Sequence, residues 1–101
     1  MGFKATDPLL MTEVRLAVMS ILHEEESADF TYLRETIGAT AGNLSSQLSK
    51  LESAGYITIE KRFEDNRPLT TCLITEKGHA AFEAHYEALK SYFPKSKKRK
   101  D

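Results

Sequence analysis

Four side chains in this sequence are of the kinds that ligate metals or pass protons with ease: His23, His79, His85 and Cys72. Their spacing argues against a shared task. His79 and His85 are six residues apart, which puts them on different sides of a helix. Cys72 has no histidine or aspartate at a useful interval. With the three histidines on separate helical faces and no nucleophile beside a paired carboxylate, neither a catalytic set nor a metal-ligand set is expected, and no cofactor is implied. Cys72 cannot form an internal disulfide and reads as a small buried hydrophobe rather than a redox switch.

A second group offers hydrogen bonds and positive charge instead of bond-making. Thr40, Asn43, Ser45, Ser46, Ser49 and Lys50 cluster within eleven positions, with Ala41 and Gly42 between them. Lys61, Arg62, Asn66 and Arg67 follow. An asparagine amide matches the adenine edge with two hydrogen bonds, hydroxyls bond bases or phosphates, and cations hold phosphates. Such residues act only if a rigid element presents them together.

The surrounding pattern supplies that element. Thr40 suits a helix N-cap, although Asn43 stands where a Glu or Gln would complete a capping box. Leu44, Leu48 and Leu51 recur at helical spacing to about Ala54, and Gly55 supplies the stop. With those leucines inward, Ala41, Gly42, Asn43, Ser45, Ser46, Ser49 and Lys50 lie on or beside the outward face. A serine-rich outer face is unusual for a merely structural helix, which favours Glu, Lys and Gln.

Before this helix, Asp7-Pro8 reads as a helix start, and Leu10, Val14, Ala17, Val18, Ile21 and Leu22 form an apolar stripe ending near His23. Glu24-Glu25-Glu26-Ser27 is expected to be a solvated turn. A short extended start at Asp29 leads into a short helix through Leu33 to Ile37, closed by Gly38. After Gly55 the period changes to two: Ile57, Ile59 and Phe63 share one side of a strand, residues 64–68 make a polar turn, and residues 70–75 return with Cys72 and Ile74 on one face. Thr75 and Glu76 open a last helix, which Pro94 ends. Phe82, Tyr86, Leu89 and Phe93 line one side of it, with Ala81, His85, Ala88 and Tyr92 adjoining. The predicted order is helix, helix, tight turn, helix, hairpin, helix: an α+β, mainly helical, winged helix-turn-helix plan.

The 101-residue chain fits one domain over residues 1–94 and a basic tail over 95–101, expected to be disordered. The formal net charge is −1. The tail holds five basic residues and one acid, and removing these from 14 basic and 15 acidic residues leaves 9 against 14, a formal −5 for residues 1–94. Any nucleic-acid surface on the body is therefore a local patch. The tail reads equally as a non-specific phosphate grip or as a solubilising end. No apolar run approaches the ~20 residues of a membrane span, and Met1 to Asp7 lacks the order of a signal peptide. No membrane partner is expected, and a reducing cytoplasmic setting is.

The wording of the sequence adds to its order. The segment Gly38-Ala39-Thr40-Ala41-Gly42-Asn43-Leu44-Ser45-Ser46-Gln47-Leu48-Ser49-Lys50-Leu51-Glu52-Ser53-Ala54-Gly55-Tyr56-Ile57 closely resembles the recognition helix of small winged-helix regulators related to the MarR and ArsR families. Lys61 to Thr71 is similar to their wing, Leu73 to Gly78 to their strand-to-helix junction, and Asp7 to Leu22 to their first helix. The resemblance covers nearly all of residues 7–93. It implies sequence-specific binding of double-stranded DNA, homodimerisation and transcriptional control without catalysis. It places DNA contacts at Thr40, Ala41, Gly42, Asn43, Ser45, Ser46, Ser49, Lys50, Arg62, Asn66 and Arg67. Phe82, Tyr86, Leu89 and Phe93 are the expected dimer seam, the competing reading being that they pack on the first helix of their own chain. Arg34 is a peripheral candidate for the DNA backbone, or a partner for a nearby carboxylate. A small-molecule effector is compatible with the resemblance, but no residue set announces one. The rival reading is a winged helix that binds protein, which the acidic body favours and the Ser/Asn/Lys face opposes.

Overall fold

The computed structural model describes residues 2–93. A 3-10 turn, Pro8–Leu10, precedes α1 (Glu13–Glu25), β1 (Ser27–Asp29), α2 (Phe30–Ile37), α3 (Ala41–Ser53), β2 (Ile57–Glu64), β3 (Arg67–Ile74) and α4 (Glu76–Lys90). The strands form an antiparallel sheet in the order β1-β3-β2. Leu10, Val18, Met19, Leu22, Leu33, Leu44, Leu48, Leu51, Ile57 and Cys72 fill the core between the helices and the sheet.

Two boundaries differ from the sequence reading. Asp7 does cap a turn, its carboxylate accepting from the Leu9 N–H at 3.0 Å, but the helix does not run on. The Leu9 carbonyl, which a continuous helix would pair with residue 13, instead accepts from Arg15 Nε at 2.6 Å. Thr12 is extended and starts α1 afresh. The second difference is β1. Glu24 and Glu25 belong to α1, and after Glu26 the chain pairs with β3, Ser27 opposite Leu73 and Asp29 opposite Thr71. Strand character here comes from the partner, since three residues are too few to show alternation.

The helix-turn-helix follows its local signals. Asp29 caps α2 by accepting from the Tyr32 N–H, and Gly38 closes it in the left-handed region at φ 79°. Thr40 Oγ1 accepts from the Asn43 N–H at 3.1 Å and opens α3. Only Gly38, Ala39 and Thr40 separate the two helices, which keeps α3 at a fixed angle to α2.

The hairpin is tighter than expected. Glu64 pairs with Arg67, so the turn is Asp65-Asn66 alone, both residues with positive φ as a type I′ turn requires. Pro68 stands opposite Phe63. Because β1 reaches β3 only as far as Thr71, the missing Pro68 N–H falls at an open edge and costs no ladder bond. Beyond that point the hairpin leaves the body. Phe63, expected to share the inner face with Ile57 and Ile59, is 74% exposed for that reason.

The last helix starts as expected, with Thr75 Oγ1 accepting from the Gly78 N–H at 2.9 Å. It ends at Lys90, before Pro94, which lies outside the described residues along with the tail. Ser91 stops it, donating its hydroxyl to the Ala88 carbonyl at 2.6 Å, while Tyr92 and Phe93 tighten into i→i−3 bonds. The chain start is tied here: the Lys4 N–H donates to Ser91 Oγ and Phe3 stacks on Tyr92 at 4.6 Å.

Candidate nucleic-acid interface

The eleven residues assigned to DNA contact divide between α3 and the hairpin. Thr40, Ala41, Gly42, Asn43, Ser45, Ser46, Ser49 and Lys50 are all exposed, on the side of α3 away from Leu44, Leu48 and Leu51. No acidic residue interrupts that face before Glu52. Ala41, Ser45, Ser49 and, at its far end in sequence, Glu52 share a trough with Ile59, Lys61 and Thr70 of the hairpin, so the helix and the wing border one concave surface. A surface of this kind presents the helix's small polar residues first and flanks them with the wing.

Two residues that the sequence reading did not single out organise this face. Gln47 Nε2 donates to Asn43 Oδ1 at 3.0 Å, one turn earlier on α3. Gln47 Oε1 in turn accepts from the guanidinium of Arg15, which is 9% exposed. Because Arg15 also binds the Leu9 carbonyl, a polar chain runs from the 3-10 turn through α1 and Gln47 to Asn43. It fixes the Asn43 amide with Nδ2 free to donate, and Oδ1 keeps its second lone pair. The sequence held a signal for Arg15. The fully buried face of α1 is Arg15, Val18, Met19 and Leu22, a charge inside an apolar stripe that must find partners. Val14 and Ile21 of the expected apolar stripe are partly buried against the core, and with Ala17 they also line a groove beside Ile37 and Ala39.

The wing cations are not equivalent. Arg62 lies between Glu60 at 4.0 Å and Glu64 at 3.5 Å, so its charge is already answered. Among the described residues no carboxylate pairs with Lys61, Arg67 or Lys50, and Asn66 and Arg67 sit at the exposed tip. Arg34 is 3.9 Å from Glu35, the carboxylate alternative expected for it.

On α4 the adjoining stripe is the buried one: His85 and Ala88 are fully enclosed. His85 Nδ1 accepts from the Asp7 N–H at 3.0 Å, which places its ring proton on Nε2. Phe82 is partly buried against the core, with its ring 4.8 Å from that of His23. Tyr86 and Phe93 are exposed and Leu89 is half-buried.

Two groups have raised pKa values. The hydrogen bond from Tyr56 Oη to Asp7 Oδ2 at 2.5 Å, then burial and the Asp7 charge, push the phenol up from 10.0 to about 12. Burial, with Glu52 and Asp29, pushes the Cys72 thiol from 9.0 to about 11. At neutral pH Cys72 is a buried thiol, a poor nucleophile. The histidines are less scattered than their spacing suggested, since the rings of His23 and His79 lie 5.0 Å apart.

Comparison with known families matches residues 14–93 to the winged helix DNA-binding domain. The chain belongs to that family. The winged-helix chain is 38% identical over 77 residues to an uncharacterized protein of Methanocaldococcus jannaschii, covering 75% of this chain and 84% of the relative. A transcriptional regulator homologue of Pyrococcus horikoshii OT3 is 31% identical, with a TM-score of 0.78 over 83% of each chain. Overoxidized AbfR bound to DNA is 26% identical, with a TM-score of 0.72 over 87% of this chain and 64% of AbfR. The likeness to MarR-type regulators expected from the sequence is found in these structures. This winged helix thus has the fold of transcriptional regulators, a DNA-bound homologue among them, and belongs to a DNA-binding rather than an enzyme class. No helix among its described residues is long and apolar enough to cross a membrane.

Proposed function

We propose that this winged helix is a transcriptional regulator that binds double-stranded DNA sequence-specifically, as a homodimer on an inverted-repeat operator. The observation that carries the reading is the exposed face of α3, free of acid from Thr40 to Leu51, with the Asn43 amide oriented from behind by Gln47. The N-terminal half of α3 enters the major groove, Asn43 reads a base edge, and Ser45, Ser46 and Ser49 bond bases or phosphates. Thr40, Ala41 and Gly42 permit close approach at the helix N-terminus, and Lys50 holds phosphate. Arg67 and Asn66 reach from the wing toward the minor groove, and Arg62 contributes only after exchanging its glutamates for phosphate. The second copy docks against exposed Tyr86 and half-buried Leu89 on α4 and exposed Phe93 just beyond it, with Phe82 at the inner edge. On this reading the protein works in the cytoplasm, alongside the DNA it binds.

The acidic pair around Arg62 favours one second reading, a winged helix that docks on protein. Duplex binding measured across salt concentrations separates the two. Phosphate contacts make affinity fall steeply as salt rises, by ~10³ or more between 50 and 200 mM for about six contacts. Negligible duplex binding even at low salt supports protein docking.

A further inference from the structure

His23 lies in the last turn of α1, and His79 and Glu83 stand one turn apart on the same face of α4. Their ligand atoms all lie within 4.8 Å of one another. His23 Nε2 is 3.0 Å from Glu83 Oε2, and His79 Nε2 is 2.9 Å from Glu26 Oε1. None of these residues belongs to the α3 and wing surface. We propose that His23, His79 and Glu83 bind a single divalent transition-metal ion of the zinc type, with the fourth position open to solvent beside Glu26.

Two imidazoles and a carboxylate are a borderline donor set, suited to Zn²⁺ and poorly suited to Ca²⁺ or Mg²⁺. Ligands of one tetrahedral ion with bonds of ~2.0–2.1 Å stand about 3.3 Å apart. The His23–Glu83 pair is already there, and the widest pair closes by about 1.5 Å through side-chain rotation. The surroundings suit an ion. The two imidazoles are shielded, with side chains 31% and 27% exposed, and Phe82 backs the His23 ring at 4.8 Å. Glu83 and Glu26 are 65% and 69% exposed and leave an entry path. Simple ion pairing accounts for each His–Glu contact separately. It does not account for the convergence of both imidazoles and the Glu83 carboxylate on one point, with the two rings 5.0 Å apart, whereas a shared cation satisfies all three side chains at once.

The ion joins the end of α1 to the start of α4. Glu26 follows α1 directly and its carbonyl accepts from the Ile74 N–H at 3.1 Å, so the clamp reaches the base of the wing. Metal therefore stiffens the junction between the sheet and α4.

The test uses the metal-depleted full chain, without DNA, titrated with Zn²⁺ against a chromophoric chelator, and with Co²⁺ read by visible absorption. One Zn²⁺ per chain, a raised melting temperature and the intense bands of a tetrahedral Co²⁺ site are expected. His23→Ala and His79→Ala each weaken Zn²⁺ binding at least tenfold. Glu83→Gln, at an exposed position, keeps the far-UV spectrum of the parent and weakens binding by a similar factor. Absence of Zn²⁺ binding in the parent overturns the proposal, as does an affinity unchanged in Glu83→Gln or in both histidine variants.

Discussion

Gln47 donates its side-chain amide to Asn43 Oδ1 at 3.0 Å, and so the residue best suited to read a base is held from within its own helix. Arg15, buried beneath, holds Gln47 in turn. Asn43→Ala is expected to weaken binding to the specific operator by ~1–3 kcal/mol while leaving binding to random duplex similar. Gln47→Ala should lose part of the same energy, and the double variant should lose less than the sum, because both changes act on one contact. Titrations of a fluorescent operator with the four proteins give the cycle, and equal losses on specific and random DNA contradict base reading.

Gly78, in the first turn of α4, is fixed by packing rather than by helix propensity. A Cβ there would meet the Tyr56 carbonyl oxygen at 2.1 Å and Ile74 Cγ1 at 2.9 Å, so α4 packs against the strand junction only as glycine. Gly78→Ala gains helix propensity but must push α4 outward, and a net loss of ~1–3 kcal/mol is expected. Urea unfolding measures it, and a stabilised variant would show that α4 shifts freely.

Tyr56 makes a pH signature. Its folded pKa is raised from 10.0 to about 12, so the neutral phenol is the form the fold prefers. The corresponding stabilisation is complete below pH 10 and is lost as pH rises from 10 toward 12. Tyr56→Phe removes this component, so the stability gap between parent and variant should shrink across that window. A constant gap would mean the Asp7 contact does not persist in solution.

The dimer seam is tested at Leu89, half-buried on α4 between exposed Tyr86 and Phe93. Leu89→Glu places a charge in an apolar contact and should yield monomers by light scattering while the fold survives. Tyr86→Asp, at a more exposed position, checks the same face with less risk to the core. Folded variants that stay dimeric would place the seam elsewhere.

The recognition helix was legible because its signals are local: the Thr40 cap, leucines at 44, 48 and 51, and the Gly55 stop. The wing was legible through its alternation, although alternation alone put Phe63 inside, where the hairpin has already run past the core and leaves it exposed. What sequence did not reveal depends on distant partners. β1 is a strand because β3 lies beside it, the helix break at Thr12 goes with a Leu9 carbonyl held by Arg15, and His23 meets His79 only once α4 folds back on α1. Asn43 was visible as a candidate, whereas the Gln47–Arg15 support behind it needed three elements in place.

Whether the α3 face reads sequence as a dimer is decided by selecting bound sequences from a random duplex pool, with the full chain and with a chain ending at residue 94. An inverted repeat with half-sites about one helical turn, ~34–36 Å, apart should be enriched in both cases. Failure of either protein to enrich any sequence would contradict dimeric sequence reading.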